Sequence, residues 1–261
     1  MTEREVNDAA DHLLRLHGQN SVPVDVRAIA ERHMTIEEGD FGPDFTGQLE
    51  FDPDDQTFAM CIPQTRSGSH SPRIRFTIAH ELAHFNIPSH KARLLRGEQF
   101  QTQSALQSTK TVEREADIFA AALLIPSWEL QKRVGQHGGK LDLCQVSQLA
   151  KDCQVSIEVA AFRFSRFTKL RHISIISKDS LVQYWFASDQ AGNLRFAIEK
   201  GNPLPGRSAT SRALMRKGEN VSHGTNAGEL WFSGNDVPDR VSEEAKWLGG
   251  GRVLTMLSWG D

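Results

Sequence analysis

Five consecutive residues, His80-Glu81-Leu82-Ala83-His84, combine two imidazoles and a carboxylate at a spacing suited to metal chemistry. Side chains four apart on a helix share a face, about 5–6 Å apart at Cβ, so His80 and His84 can reach one ion. Zinc takes imidazole nitrogen at about 2.0–2.1 Å. Glu81 lies one residue round the helix, beside the metal instead of on it, where it can accept a proton from water activated by that ion. The chemistry is metal-assisted hydrolysis with Glu81 as its base. Short motifs also arise on ordinary, partly buried helices, but the flanks argue against that here. Thr77 to Phe85 contains no Lys, Arg or Asp; Ile78, Leu82 and Phe85 form one apolar face, and Ala83 and Ile87 flank the histidines on the other. A helix apolar on both sides is buried, and burying a carboxylate with two histidines is costly without a partner. Zinc would be that partner; Mn²⁺ and Fe²⁺ can occupy the same nitrogen and oxygen donors.

Two residues compete as third ligand. With Val112 as the origin of a helical wheel, Glu115 falls on one arc with Ala116, Phe119, Ala122 and Leu123, while Glu113 and Asp117 point elsewhere, toward the polar side. A carboxylate on a core-facing stripe needs a reason, and ligation supplies one. His90 follows His84 by six residues, the third-ligand spacing of H-E-x-x-H-x-x-G-x-x-H. The glycine position of that motif is Ile87 here, a β-branched residue poorly suited to the required turn. Glu115 is therefore preferred.

Arg75 to His84, followed by Glu115-Ala116-Asp117 and by Phe119 to Pro126, resembles the ImmA/IrrE family of metallopeptidases over about residues 5–170. Val22-Pro23-Val24-Asp25-Val26 with Ile29-Ala30 resembles the family's lead-in helix. The resemblance implies a metalloendopeptidase with His80, His84 and Glu115 on zinc and Glu81 as catalytic base. It also implies a protein substrate, a helix-turn-helix repressor whose cleavage releases stress-response or mobile-element genes. Some members end in a GAF-like sensory domain.

The elements that must position these residues are readable in outline. Glu3–His17 carries an apolar helical stripe, and Asp25 can cap a second helix. Gln48–Phe51 and Phe58–Ile62 read as a strand hairpin just ahead of the motif. Residues 66–72 read as a Ser/Gly/Pro loop, 76–87 as the motif helix, and Thr109 or Thr111 as the start of another helix ending before Pro126. After Arg171 the pattern changes to strands at 173–176, 181–186, 194–198 and 253–257, with helices near 208–215 and 242–248. The expected fold is α+β: a mainly helical zincin-like peptidase domain with a hairpin over 1–140, a helix-turn-helix-like segment over 141–170, and a smaller α+β domain over 171–261, sensory and GAF-like by the resemblance.

Composition bounds the remaining functions. The chain has 261 residues, 39% hydrophobic and 24% charged, and no apolar run near the roughly 20 residues that cross a bilayer. Three cysteines, Cys61, Cys144 and Cys153, with a charged N-terminus point to the reducing cytoplasm. Net charge is −3, with −10 on residues 1–60 and +7 on the remainder, and this overall balance disfavours direct DNA binding by the whole molecule. The segment 149–160 resembles a helix-turn-helix core followed by Arg163, Arg166, Lys169 and Arg171, yet Glu158 sits where a recognition helix would meet phosphates. The competing function is a non-cleaving regulator that binds a repressor or DNA through 141–170.

Overall fold

Thr2 begins the first helix with a reciprocal cap: its backbone N–H donates to Glu5 Oε2 at 2.7 Å, and its hydroxyl accepts from the Glu5 N–H at 3.3 Å. Helix α1 (Glu3–Leu16) then buries Val6, Ala10, Leu13 and Leu14, and Asp25 caps α2 (Val26–Ala30) through the Ala28 N–H at 3.0 Å. The computed structural model describes all residues except 65–70, 99, 101–110, 193–194, 197–198, 219, 235–236 and 261. Most of the loop expected at 66–72 lies outside the described residues.

Strands β1 (Thr35–Gly39), β2 (Gln48–Asp52) and β3 (Thr57–Pro63) form a sheet in the order β1-β3-β2. The β2–β3 hairpin is as expected, whereas β1 pairs parallel to β3, a non-local contact that a polar TIEEG run does not announce. Ser71 caps α3 (Pro72–Asn86), Pro72 fits its first turn, and every residue from Ile74 to His84 is buried. Helix α4 (Pro88–Leu94) follows at once, and α5 (Thr111–Leu124) packs against both α3 and α1. Next come α6 (Ser127–Gln136), α7 (Leu143–Cys153) and α8 (Ile157–Phe167).

Arg75 ties α3 to the turn between α7 and α8. Its guanidinium donates to the carbonyls of Val24 at 2.9 Å, Gln154 at 3.2 Å and Cys153 at 3.3 Å. Burial pulls the pKa of this guanidinium below its ordinary value. Arg75→Met keeps the stem but removes the guanidinium donor from all three carbonyls, of which Val24 still accepts from the Val26 N–H. Urea unfolding is expected to show a loss of about 2–4 kcal/mol. A change below about 1 kcal/mol would remove Arg75 as a structural clamp.

The chain divides into two compact units, Met1–Leu130 with Leu149–Ala160, and Gln131–Gln148 with Ala161–Asp261. This division does not follow the composition change near residue 170, because α7 and α8 each contribute to both units. In the second unit, β4 (Arg171–Lys178), β5 (Leu181–Ala187), β7 (Ser222–Ala227), β9 (Arg240–Gly249) and β10 (Arg252–Trp259) build an antiparallel sheet ordered β5-β4-β10-β9-β7. Two-residue strands β6 (Arg195–Phe196) and β8 (Phe232–Ser233) pair with each other, and α9 (Ala209–Arg216) packs on β9. The rest of the strand expected at 194–198 lies outside the described residues.

The helix expected near 242–248 is instead strand β9. Val241, Glu243 and Ala245 are buried while Arg240 and Ser242 are exposed, a period of two that overrides the helix-forming Glu-Glu-Ala-Lys run. Gly249, Gly250 and Gly251, all at positive φ, turn it into β10. The fully buried Glu243 accepts from the Thr210 N–H at 2.9 Å, the Thr210 hydroxyl at 2.6 Å and the Asn226 amide at 2.6 Å.

His172, on β4, is buried and its pKa is pushed down to about 3. Its unfolded value is about 6.5, so between these limits the unfolded chain binds a proton that the folded chain excludes. Stability is therefore lost as pH falls from about 6.5 toward 3, by up to about 1.4 kcal/mol per pH unit. His172→Gln is expected to flatten the acid side of a stability-against-pH curve measured by urea unfolding. An unchanged slope would contradict this assignment.

Candidate metal centre

Helix α3 presents His80 and His84 on one face, and α5 brings a carboxylate to meet them. His80 Nε2 lies 3.2 Å from His84 Nε2 and 3.2 Å from Glu113 Oε2, and His84 Nε2 lies 4.0 Å from the same oxygen. Ligand atoms on a tetrahedral ion with bonds of 2.0–2.1 Å stand about 3.3 Å apart, so the three donors match one small cation. His80, His84 and Glu113 can hold a metal ion. All three are buried.

The surrounding groups fix the donors. His80 Nδ1 is 3.0 Å from Asp117 Oδ1, which selects the tautomer that leaves Nε2 free for a metal. Burial pulls the His80 pKa down, but its bonds to Asp117 and Glu113 win and raise it to about 10. Without metal, His80 is a cation between two carboxylates, and an incoming ion must displace its Nε2 proton. Burial holds His84 neutral, with its pKa well below the ordinary value. Its ring stacks on Phe100 at 4.3 Å and 10°.

Glu81 is buried on the neighbouring face of α3. The segment leading into β2 comes close to it: Thr77 Oγ1 donates to the Thr46 carbonyl at 3.2 Å. A Cβ at Gly47 would stand 3.1 Å from Glu81 Oε1 and 2.4 Å from Thr77 Cγ2. Only glycine permits that approach.

The structure brings His80, Glu81 and His84 together as the motif requires, and it places Glu113 beside the histidines where the wheel pointed to Glu115. Glu115 faces elsewhere, accepting from the Met1 amino group, with its Oε2 2.9 Å from His90 Nε2. The reason lies in α5 itself. Apart from Arg114, every residue from Glu113 to Leu124 is buried, so an apolar arc does not single out the metal-facing side. The missed signal was the pair Glu113 and Asp117, four apart, on one arc with Ala120 and Leu124. Those four residues form a second core-facing stripe.

Residues 53–165 match the family described as Peptidase_M78: IrrE N-terminal-like domain. This segment belongs to the ImmA/IrrE family of metallopeptidases. The IrrE-like domain contains both histidines, Glu81, Glu113 and Asp117, and it runs from the start of the β2–β3 turn to α8. Among solved structures, a Mycobacterium tuberculosis transcriptional regulator is similar in fold. It is 14% identical, with a TM-score of 0.61, over 97% of this chain and 76% of its own. No curated protein matches the chain. Among the described residues, no helix is long and apolar enough to cross a membrane.

Proposed function

We propose that the chain is a zinc-dependent endopeptidase of the cytoplasm that cuts a specific protein. The substrate is a helix-turn-helix repressor, whose loss derepresses stress-response or mobile-element genes. The observation that carries this reading is the convergence of His80 Nε2, His84 Nε2 and Glu113 Oε2 beside the buried Glu81 carboxylate. Two histidines and a glutamate are a donor set of catalytic zinc, and a purely structural site has no use for a carboxylate base beside it.

Each residue then has a distinct task. His80, His84 and Glu113 hold the ion, and Asp117 keeps the His80 imidazole oriented. When bound, zinc supplies Lewis acidity that polarises the peptide carbonyl and acidifies water. Glu81 accepts the proton from the attacking water and passes it to the leaving amine. Strand β2 forms an edge of its sheet, where an extended peptide could be fixed by main-chain hydrogen bonds. Cells expressing wild type or Glu81→Gln, with and without DNA damage or oxidative stress, would be compared for new protein N-termini. One terminus inside a helix-turn-helix repressor, present only with wild type, is the expected result. Identical N-termini under every condition, with stoichiometric metal bound, would sink the reading.

A further inference from the structure

An open cleft of about 440 Å³ lies at one end of the β1-β3-β2 sheet, between the turn after β1, the end of β3 and the first turn of α3. Phe41, Pro43, Phe45 and Pro63 give it an apolar wall, and Arg73 closes one side. The Phe41 and Phe45 rings are 4.6 Å apart, and Phe41 remains 44% exposed. Asp40 also lines the cleft, but its carboxylate is engaged in its own turn, accepting from the Gly42 N–H at 3.2 Å. Arg73 is exposed and makes no hydrogen bond or ion pair with a described residue. The cleft thus pairs an exposed and a half-buried aromatic ring with a cation that no described residue engages.

Its position relates it to the metal centre from two sides. Arg73 precedes His80 by seven residues, two helical turns, so both stand on one face of α3 about 10 Å apart along the axis. Thr77 lies between them on that face. Phe45 precedes by two residues the Gly47 backbone that abuts Glu81. An extended peptide covers about 10 Å in three residues, and side chains two apart share a face.

We propose that this cleft is a specificity pocket of the peptidase proposed above, and the inference rests on that reading. It takes a bulky apolar side chain of the substrate against Phe41 and Phe45. A carboxylate two positions along the peptide pairs with Arg73, whose planar guanidinium suits bidentate binding. The recognised pair lies about three residues from the bond that is cut.

A peptide library digested by the metal-loaded full chain tests this directly. Wild type is expected to enrich a bulky apolar residue and an Asp or Glu two positions away, at one fixed distance from the cut. Arg73→Glu should turn the acidic preference into a basic one. It should also lower kcat/KM for the acidic peptide by about 100-fold, chiefly through KM. An unchanged acidic preference in Arg73→Glu overturns the pocket and leaves the peptidase reading intact. If wild type cuts no peptide, it is the peptidase reading that fails, and calorimetry with acetyl-Phe-Gly-Glu amide judges the pocket alone. Binding to wild type that weakens at least about tenfold in Arg73→Glu supports it; equal or absent binding overturns it.

Discussion

Glu113→Ala is expected to abolish stoichiometric metal binding, whereas Glu115→Ala leaves one ion per chain. Removing Glu113 strips the only carboxylate oxygen that stands 3.2 Å from His80 Nε2 and 4.0 Å from His84 Nε2 among the described residues. Loss of an outer partner of a ligating histidine costs about 10–100-fold in affinity, which is the range expected for Asp117→Asn. Loss of a direct ligand should exceed it. Dialysis followed by elemental analysis separates the three variants, and zinc titration ranks them. Metal loss in Glu115→Ala with retention in Glu113→Ala would reverse the ligand assignment. The same titration carries a pH signature. The His80 proton, with a pKa of about 10 in the metal-free chain, competes with the ion. Below that value each rise of one pH unit removes a decade of competition, so affinity should climb about tenfold per unit between pH 7 and 9.

Glu81→Gln should separate metal binding from turnover. Glutamine is nearly isosteric, and residue 81 is not one of the three grouped donors, so metal content should match wild type. It has no basic oxygen to take up the proton, and the rate of peptide cleavage should drop by about 10²–10⁴-fold. The measurement is single-turnover cleavage of a peptide or protein that wild type cuts, at saturating enzyme, which excludes a mere change in binding. A variant that keeps the metal and the wild-type rate would require another base.

The sequence made the metal helix legible because its information is local. Four-residue spacing, a buried flank on both sides of α3 and a proline stop at Pro88 all act within a short stretch of chain. The third donor was less legible because α5 is buried nearly all round, so periodicity gave two apolar arcs, and only the packing of α5 on α3 decides between Glu113 and Glu115. Strand β1 escaped detection for a related reason: its parallel partner β3 lies across the whole hairpin, and its own residues are mostly polar and exposed. In β9, the helix-forming run Glu243 to Lys246 concealed a strand whose identity is set by Val241, Glu243 and Ala245 facing the core. The α+β class and the hairpin ahead of the motif were readable, since alternation and turn residues are short-range signals.

The bonds from Arg75 to the carbonyls of Cys153 and Gln154 also bear on how the protein matures. Both histidines leave the ribosome about 30 residues before Glu113 and 70 residues before Gln154. At 5–20 residues per second, α3 waits roughly 4–14 s after His84 is made for the last backbone it must clasp. During that interval the nascent chain exposes a helix whose every residue from Ile74 to His84 is destined for burial, and for the first part of it Glu113 is still unsynthesised. The helix that carries both histidines therefore gains this clasp only after Glu113 and the whole of α7 have been made, so its packing follows the synthesis of all three candidate donors.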